Sequence, residues 1–333
     1  MKRTWLRITL MVIALLVIIY YLGPRPLTPV YDPVLPAVPQ EAGSLEQYVA
    51  AKEATHHLKP DNEARIVWYD SVPRKTKYSV VYLHGFSASQ EEGDPVHQDF
   101  ARRYGCNLFL SRLDAHGIDT SDPLASLTAG GLWRDAKEAL AIGKALGEKV
   151  ILLSTSTGGT LALKLAATYP NDIFAVINMS PNIAINNDLV FLSNHPWGLQ
   201  ISQFVMKGKY VESKTFSEQR SRYWNKKYRL EAVGELQSLV ETTMKTSTFR
   251  AVKQPVLNLY YYKDEQHQDP TVKVSAILRM EKELGTPDSL KEAIAIPEAG
   301  AHVLGCYFVS HDVPGVQKAV HAFAEKKLGL LPK

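Results

Sequence analysis

Cysteine is scarce here: two in 333 residues, Cys106 and Cys306, with no C-x-x-C spacing and neither flanked like a catalytic thiol. That excludes a disulfide-stapled scaffold and a thiolate metal centre. Both are expected to be free, because Cys106 precedes a strand and Cys306 follows a loop that should lie at the opposite edge of the same sheet. A strand of about six residues is roughly 20 Å long, and a disulfide needs Cα atoms within about 7 Å. Charge of one sign is also lacking: 38 Lys and Arg against 34 Asp and Glu give a formal +4. With no basic tail and no zinc-finger spacing, nucleic-acid binding has no support. No metal site is implied. What remains is 45% apolar content over 333 residues, enough for one large α/β domain with an insertion, or for two domains.

Residues 1–22 begin with Lys2, Arg3 and Arg7 and continue in an uncharged run from Ile8 to Leu22. As a helix that run rises about 22 Å against roughly 30 Å of bilayer hydrocarbon, with Trp5 and Tyr20-Tyr21 placed for the two interfaces. A secretory signal is the alternative, leading to a secreted product. Cleavage wants small residues at its site, whereas this run ends Tyr-Tyr-Leu-Gly-Pro-Arg. The expectation is an uncleaved single-pass anchor, N-terminus cytoplasmic and the remainder across the membrane, periplasmic or extracellular in a bacterium. Six prolines in 23–43 then predict an extended, semi-rigid linker that holds the globular part off the membrane. Ser44-Leu-Glu-Gln47 is a capping box that should start a helix.

From there, strands are expected at Ala64–Tyr69, Tyr78–Leu83 and Asn107–Leu113, and helices near His97–Tyr104 and Leu132–Leu146. The stretch Lys149 to Thr160 organises the whole chain, joining an apolar strand to a glycine-rich turn that opens a helix. Ser156 sits at that turn, with Ser154 two before it and Gly158 two after. A serine squeezed between strand end and helix start takes a strained backbone and needs small neighbours, so the pattern reads as a nucleophile elbow in the form Ser-x-Ser-x-Gly. Ser154 is the rival nucleophile, but Leu152 is too bulky for the matching position. The loop His84-Gly85-Phe86 offers the Phe86 N–H as an oxyanion donor. His84 and His116 are expected to brace sheet-top loops.

A strand Ile173–Met179 follows, and the alternation then stops for about seventy residues. The segment 181–250 reads as an inserted, mainly helical cap rich in aromatics. Its 206–230 part carries eight Lys and Arg against Glu212 and Glu218, either a solvated face or a basic surface lying near an anionic membrane. Alternation resumes with Val256–Tyr262, a helix near Thr271–Leu284, a strand Glu292–Ile296 and a helix Val313–Leu328. The division expected is thus 1–22 anchor, 23–43 linker, 44–180 first part of the core, 181–250 cap and 251–333 second part. Such alternation means a mostly parallel sheet with helices on both faces.

The elbow, the His84-Gly85 loop, the Asp114-Ala-His116-Gly117 loop, an Asp-bearing loop after a late strand and a late histidine together resemble the α/β-hydrolase superfamily over about residues 64–328. Within it the chain is similar to capped serine esterases and monoacylglycerol-lipase-like hydrolases. The resemblance implies a triad of Ser156 as nucleophile, Asp264 as acid and His302 as base; Asp269 is the alternative acid, placed second because Asp269-Pro270 reads equally well as a helix start. Backbone N–H groups of Phe86 and Thr157 would hold the oxyanion. Serine at 154, where glycine usually stands, is the departure. The implied chemistry is hydrolysis of carboxylic esters, lipid-like or of medium acyl length, through an acyl-enzyme and without a cofactor. The alternatives are a thioesterase or acyl transferase on the same fold, or a non-catalytic binding protein.

Overall fold

A computed structural model describes residues 2–213 and 215–333. The N-terminal helix α1 runs Lys2–Tyr21, including the basic first turn, so its 20 residues rise about 30 Å. Its Thr4–Tyr21 window has mean hydropathy 2.0 and buries nothing against the rest of the chain. Next comes α2 (Ala42–Glu53), which begins two residues ahead of the capping-box serine, with Glu41 before its first turn and no side-chain cap.

The strands β1 (Arg65–Val67), β2 (Thr76–Leu83), β3 (Asn107–Leu110), β4 (Gly147–Thr155), β5 (Ile173–Met179), β8 (Val256–Tyr260) and β9 (Lys291–Ala295) form one sheet in the order β1-β3-β2-β4-β5-β8-β9. Only β1 runs antiparallel. The central strands are buried on both faces, as their mainly apolar sequences require. Helices α3 (Val96–Tyr104) and α11 (Val313–Lys326) cover one face over a core containing Phe100, Ile177 and Phe323. Helices α4 (Ala129–Leu146), α5 (Thr157–Thr168) and α10 (Val274–Glu283) cover the other, around Trp133, Leu152 and Phe249.

Between β5 and β8 lie α6 (Gly198–Val205), a two-stranded ribbon of β6 (Tyr210–Glu212) and β7 (Lys227–Arg229), α7 (Glu218–Tyr223) within that ribbon's loop, α8 (Glu231–Thr243) and α9 (Thr246–Ala251). This segment divides in two by packing. Leu236, Leu239, Val240 and Phe249, on α8 and α9, belong to the same core as α4 and α5. The part that overhangs the sheet's top edge therefore ends near residue 230.

The linker behaves differently from the spacer its prolines suggest. It is extended, but it lies along the globular body. The Trp133 indole N–H donates to the Asp32 carbonyl at 2.8 Å, Lys137 Nζ to the Val34 carbonyl at 2.6 Å, and the Tyr169 hydroxyl to the Pro33 carbonyl at 2.8 Å. At its start, the Trp197 N–H donates to the Pro24 carbonyl and its indole N–H to the Ile19 carbonyl, both at 2.9 Å. Proline backbones have no N–H to satisfy, so their free carbonyls suit a strap that accepts from side chains. The globular part is thus held against the end of α1, not away from it.

Candidate active site

Ser156 caps α5 at φ +54° and ψ −115°, in the left-handed half of backbone space. Its N–H donates to the Met179 carbonyl at 3.0 Å and its carbonyl accepts from the Asn182 N–H at 2.9 Å, which over-determines the strained turn. The crossing is tight: a Cβ on Gly158 would stand 1.9 Å from the Leu83 carbonyl oxygen. Ser154 lies inside the sheet and is spoken for. Its hydroxyl donates to Asn178 Oδ1 at 2.8 Å, Asn178 Nδ2 donates to Asn258 Oδ1 at 2.8 Å, and Asn258 Nδ2 to Glu281 at 2.6 Å. Ser154, Asn178 and Asn258 are register partners on β4, β5 and β8, so the position that usually carries glycine begins a buried polar ladder that ends at Glu281 on α10.

His302 meets Asp269, not Asp264. Its Nδ1 is 2.7 Å from Asp269 Oδ2; the Asp269 side chain is fully buried, and that of His302 keeps 13% of its surface exposed. The other Asp269 oxygen accepts the Thr271 and Val272 N–H groups at 2.8 and 3.0 Å. The expected acid, Asp264, sits on an exposed turn and accepts from the ring and backbone N–H of its neighbour His267. Strand β8 ends at Tyr260, earlier than its apolar run suggests, and the chain makes an excursion closed by Tyr262 against Gln268. That excursion turns Asp264 outward. It returns at Asp269, whose N–H donates to the Tyr261 carbonyl at 3.1 Å. Nor does Pro270 open a helix, since α10 begins at Val274.

Burial alone would pull the His302 imidazole down, but Asp269, its hydrogen bond and the nearby Glu92 outweigh that and leave it above the ordinary histidine value. For Asp269 burial pushes up, yet His302 and the two backbone N–H groups bring it below the usual aspartate value.

The Phe86 and Thr157 N–H groups have no acceptor among the described residues, while the Gly85 and Ser87 N–H groups on either side of Phe86 are satisfied. The Gly85 N–H donates to Glu92, and the Ser87 N–H to His116 Nε2 at 2.9 Å. His84 and His116 brace the loops as expected: His84 Nε2 accepts the Leu113 N–H at 3.1 Å, and each ring's Nδ1 faces a carbonyl. Burial is the main reason that both stay neutral, with His116 pulled down to about 4.

Ser156, Thr157, Phe86 and His302 all line one cavity of about 650 Å³ at the top edge of the sheet. Its apolar wall comes from the overhanging segment, through Leu189, Val190, Ile201, Val205 and Met206. No hydrogen bond joins Ser156 to His302, a contact that in such sites tightens when substrate fills the space.

Two cavity residues were not legible in the chain. Glu92 is fully buried on the turn after the Gly85 loop, and burial pushes its carboxyl up to about 7 despite the Gly85 N–H and nearby His302 and Arg220. The Glu92 carboxyl oxygens and Ser156 Cβ lie within 3.0 Å of one point above Gly85. Arg220 is the second. Only the Glu-Glu-Gly triplet after the loop hints at the first, and nothing local marks the second. Both thiols are free and buried, and burial pushes each up to about 12. Among the described residues no cluster of His, Cys, Asp or Glu is arranged to hold a metal ion.

The sheet order and the strand–turn–helix elbow at Ser156 are those of an α/β-hydrolase. The profile of the family described as "Serine aminopeptidase, S33" matches residues 74–261, more than half of the chain, and the protein belongs to that family. No curated protein matches the sequence. Among solved structures, one from work on LipS and LipT, two metagenome-derived lipolytic enzymes, superposes with a TM-score of 0.64 at 18% identity, covering 81% of this chain and 100% of that one. The monoacylglycerol lipase of Paleococcus ferrophilus gives 0.56 at 14% identity, covering 79% and 98%. A soluble variant of the Saccharomyces cerevisiae monoglyceride lipase gives 0.56 at 13%, covering 80% and 90%. At these identities the likeness is one of fold.

Proposed function

We propose that the protein hydrolyses carboxylic esters through a Ser156 acyl-enzyme, with His302 as base and Asp269 as the acid that orients it. The observation that carries this reading is the left-handed Ser156 on the wall of the cavity that also holds His302 and two unpaired N–H groups. In the first step His302 takes the Ser156 proton as the hydroxyl oxygen attacks the ester carbonyl, and Asp269 stabilises the imidazolium. The tetrahedral oxyanion accepts from the Phe86 and Thr157 N–H groups, one such donor being worth about 3 kcal/mol of barrier. His302 then protonates the leaving alcohol, and water cleaves the acyl-enzyme by the same route in reverse. The apolar cavity wall favours acyl chains of moderate length, and the lipolytic names of several structural neighbours agree with that choice.

A fluorophosphonate probe tests the nucleophile. Wild type and Ser154→Ala are expected to label, and Ser156→Ala is expected not to. Labelling that disappears with Ser154 and persists without Ser156 would sink the elbow assignment.

The reading extends to location. Helix α1 acts as an uncleaved anchor, and because Trp197 ties its end to the cavity's overhang, the exposed Phe204, Val205 and Met206 face the same membrane surface. The full-length chain should therefore remain in the membrane fraction after a carbonate wash with Met1 or Lys2 as its first residue. A soluble product beginning near residue 24 would overturn the anchor.

A further inference from the structure

Acyl transfer gives no task to a half-buried, unpaired cation on the cavity wall. Arg220, on α7, lines the cavity together with Glu92, Ser156 and His302. Its guanidinium lies over the rings of Phe216 and Trp224, 4.3 and 5.5 Å from their centroids. Among the described residues no carboxylate comes within 4.0 Å of it and no acceptor receives any of its N–H groups. Its Nε is completely buried and unpaired. The nearest acid is Glu92, but that carboxyl already accepts the Gly85 N–H. A buried donor without an acceptor, on a group that cannot shed its charge, is costly to keep.

The placement is also rigid. Lys59 Nζ donates to the Ser221 and Trp224 carbonyls at 3.1 Å, Asn62 Nδ2 to the Arg222 carbonyl at 3.1 Å, and the Tyr223 hydroxyl to Asp61 at 2.8 Å. Next to it, the Asn225 N–H donates to the Ser87 carbonyl at 2.7 Å, tying this stretch to the loop that carries Phe86. The sequence places Arg220 among eight basic residues that read as a surface. Others are indeed paired there, as Arg229 is with Asp122 and Glu231, but Arg220 is turned inward.

We infer that Arg220 forms a subsite for an anionic group of the substrate, a carboxylate or a phosphate, a few atoms from the ester that Ser156 attacks. The guanidinium fork offers two parallel N–H donors to either group, and the Phe216 and Trp224 rings hold it in place from one side. This subsite rests on the ester-hydrolase reading and narrows it to esters that carry a negative charge.

Two matched substrate pairs test it with the full-length protein: a butanoate ester against the half-ester of butanedioic acid with the same alcohol, and a 1-acylglycerol against its 3-phosphate. In at least one pair the anionic member should show a kcat/KM about tenfold or more above its neutral partner. Arg220→Met should lower that ratio by about 10- to 100-fold, mainly through KM, and Arg220→Lys should recover part of it. The pair that responds tells a carboxylate on the acyl side from a phosphate on the alcohol side. Ratios that Arg220→Met leaves within about twofold in both pairs overturn the subsite. Fluorophosphonate labelling of the same preparations separates the two failures. A wild type that labels but prefers neutral esters loses only the subsite, whereas a wild type that does not label loses the ester-hydrolase reading itself. Should Arg220→Met fail to fold, the wild-type ratios decide, and values at or below one in both pairs overturn the proposal.

Discussion

Asp269→Asn is expected to lower kcat by about 10⁴-fold and Ser156→Ala by about 10⁶-fold, whereas Asp264→Asn should stay within about threefold of wild type. The contrast follows from what each carboxylate touches. An amide at 269 can offer an N–H to His302 Nδ1, which favours the wrong tautomer for a base facing Ser156. At 264 the same change disturbs only an exposed turn with His267. The pH profile should move as well. His302 lies above the ordinary histidine value of about 6.5, so the acid limb of wild-type kcat/KM should fall above that pH. Removing the Asp269 charge lowers the histidine, and the residual activity of Asp269→Asn should show its acid limb at lower pH. Steady-state kinetics from pH 5 to 9 checks both parts. A large loss with Asp264→Asn and a small one with Asp269→Asn would return the acid to 264.

Glu92→Gln is expected to stabilise the protein in alkaline solution and to make little difference in acid. Burial holds the Glu92 carboxyl near 7 in the folded chain, against about 4.5 when exposed. Below the lower value both states are protonated and the group contributes nothing to the pH dependence. Between about 4.5 and 7 the unfolded chain gives up its proton first, so folding stability falls as pH rises through that window and then levels off. A gap of about 2.5 pH units corresponds to about 3 kcal/mol. A glutamine still accepts the Gly85 N–H but has no proton to lose. Denaturant unfolding at pH 4.5 and pH 8 should therefore show the variant roughly level with wild type in acid and ahead by up to about 3 kcal/mol in base. A difference that is flat with pH would mean that folding leaves the titration of Glu92 unchanged.

Much of the architecture was legible because its signals are local. A strand buried on both faces must be mainly apolar, and the buried parts of β2, β4, β5 and β8 are so apart from a few hydrogen-bonded polar residues such as Ser154, Asn178 and Asn258. The elbow was legible for a related reason, since only small residues pass the crossing beside a strained serine, and Gly158 meets that limit directly. His302 came with the resemblance to the α/β-hydrolases, which places a histidine after the last strand, while the bracing histidines 84 and 116 were legible from their place on sheet-top loops.

Other features lay beyond any local signal. Composition shows six prolines in the linker, but whether an extended segment stands free or lies on a surface depends on donors such as Trp133, Lys137 and Tyr169 more than a hundred residues away. Asp264 and Asp269 follow the same strand, and their side chains are chemically equal. Only the path of the excursion between them, closed by Tyr262 and Gln268, turns one to solvent and the other into the core beneath His302.

By itself the amino-acid sequence determined the class of fold, the position of Ser156 and the boundaries of most strands, because apolar period, residue size and backbone strain act between neighbours in the chain. Tertiary structure alone decided which acid meets His302, why Ser154 is spoken for by Asn178, and that Glu92 and Arg220 share the cavity. Each of those is settled by burial and by partners brought from distant segments, and the charge or hydrogen bond of a side chain has no meaning for a site until those partners are in place.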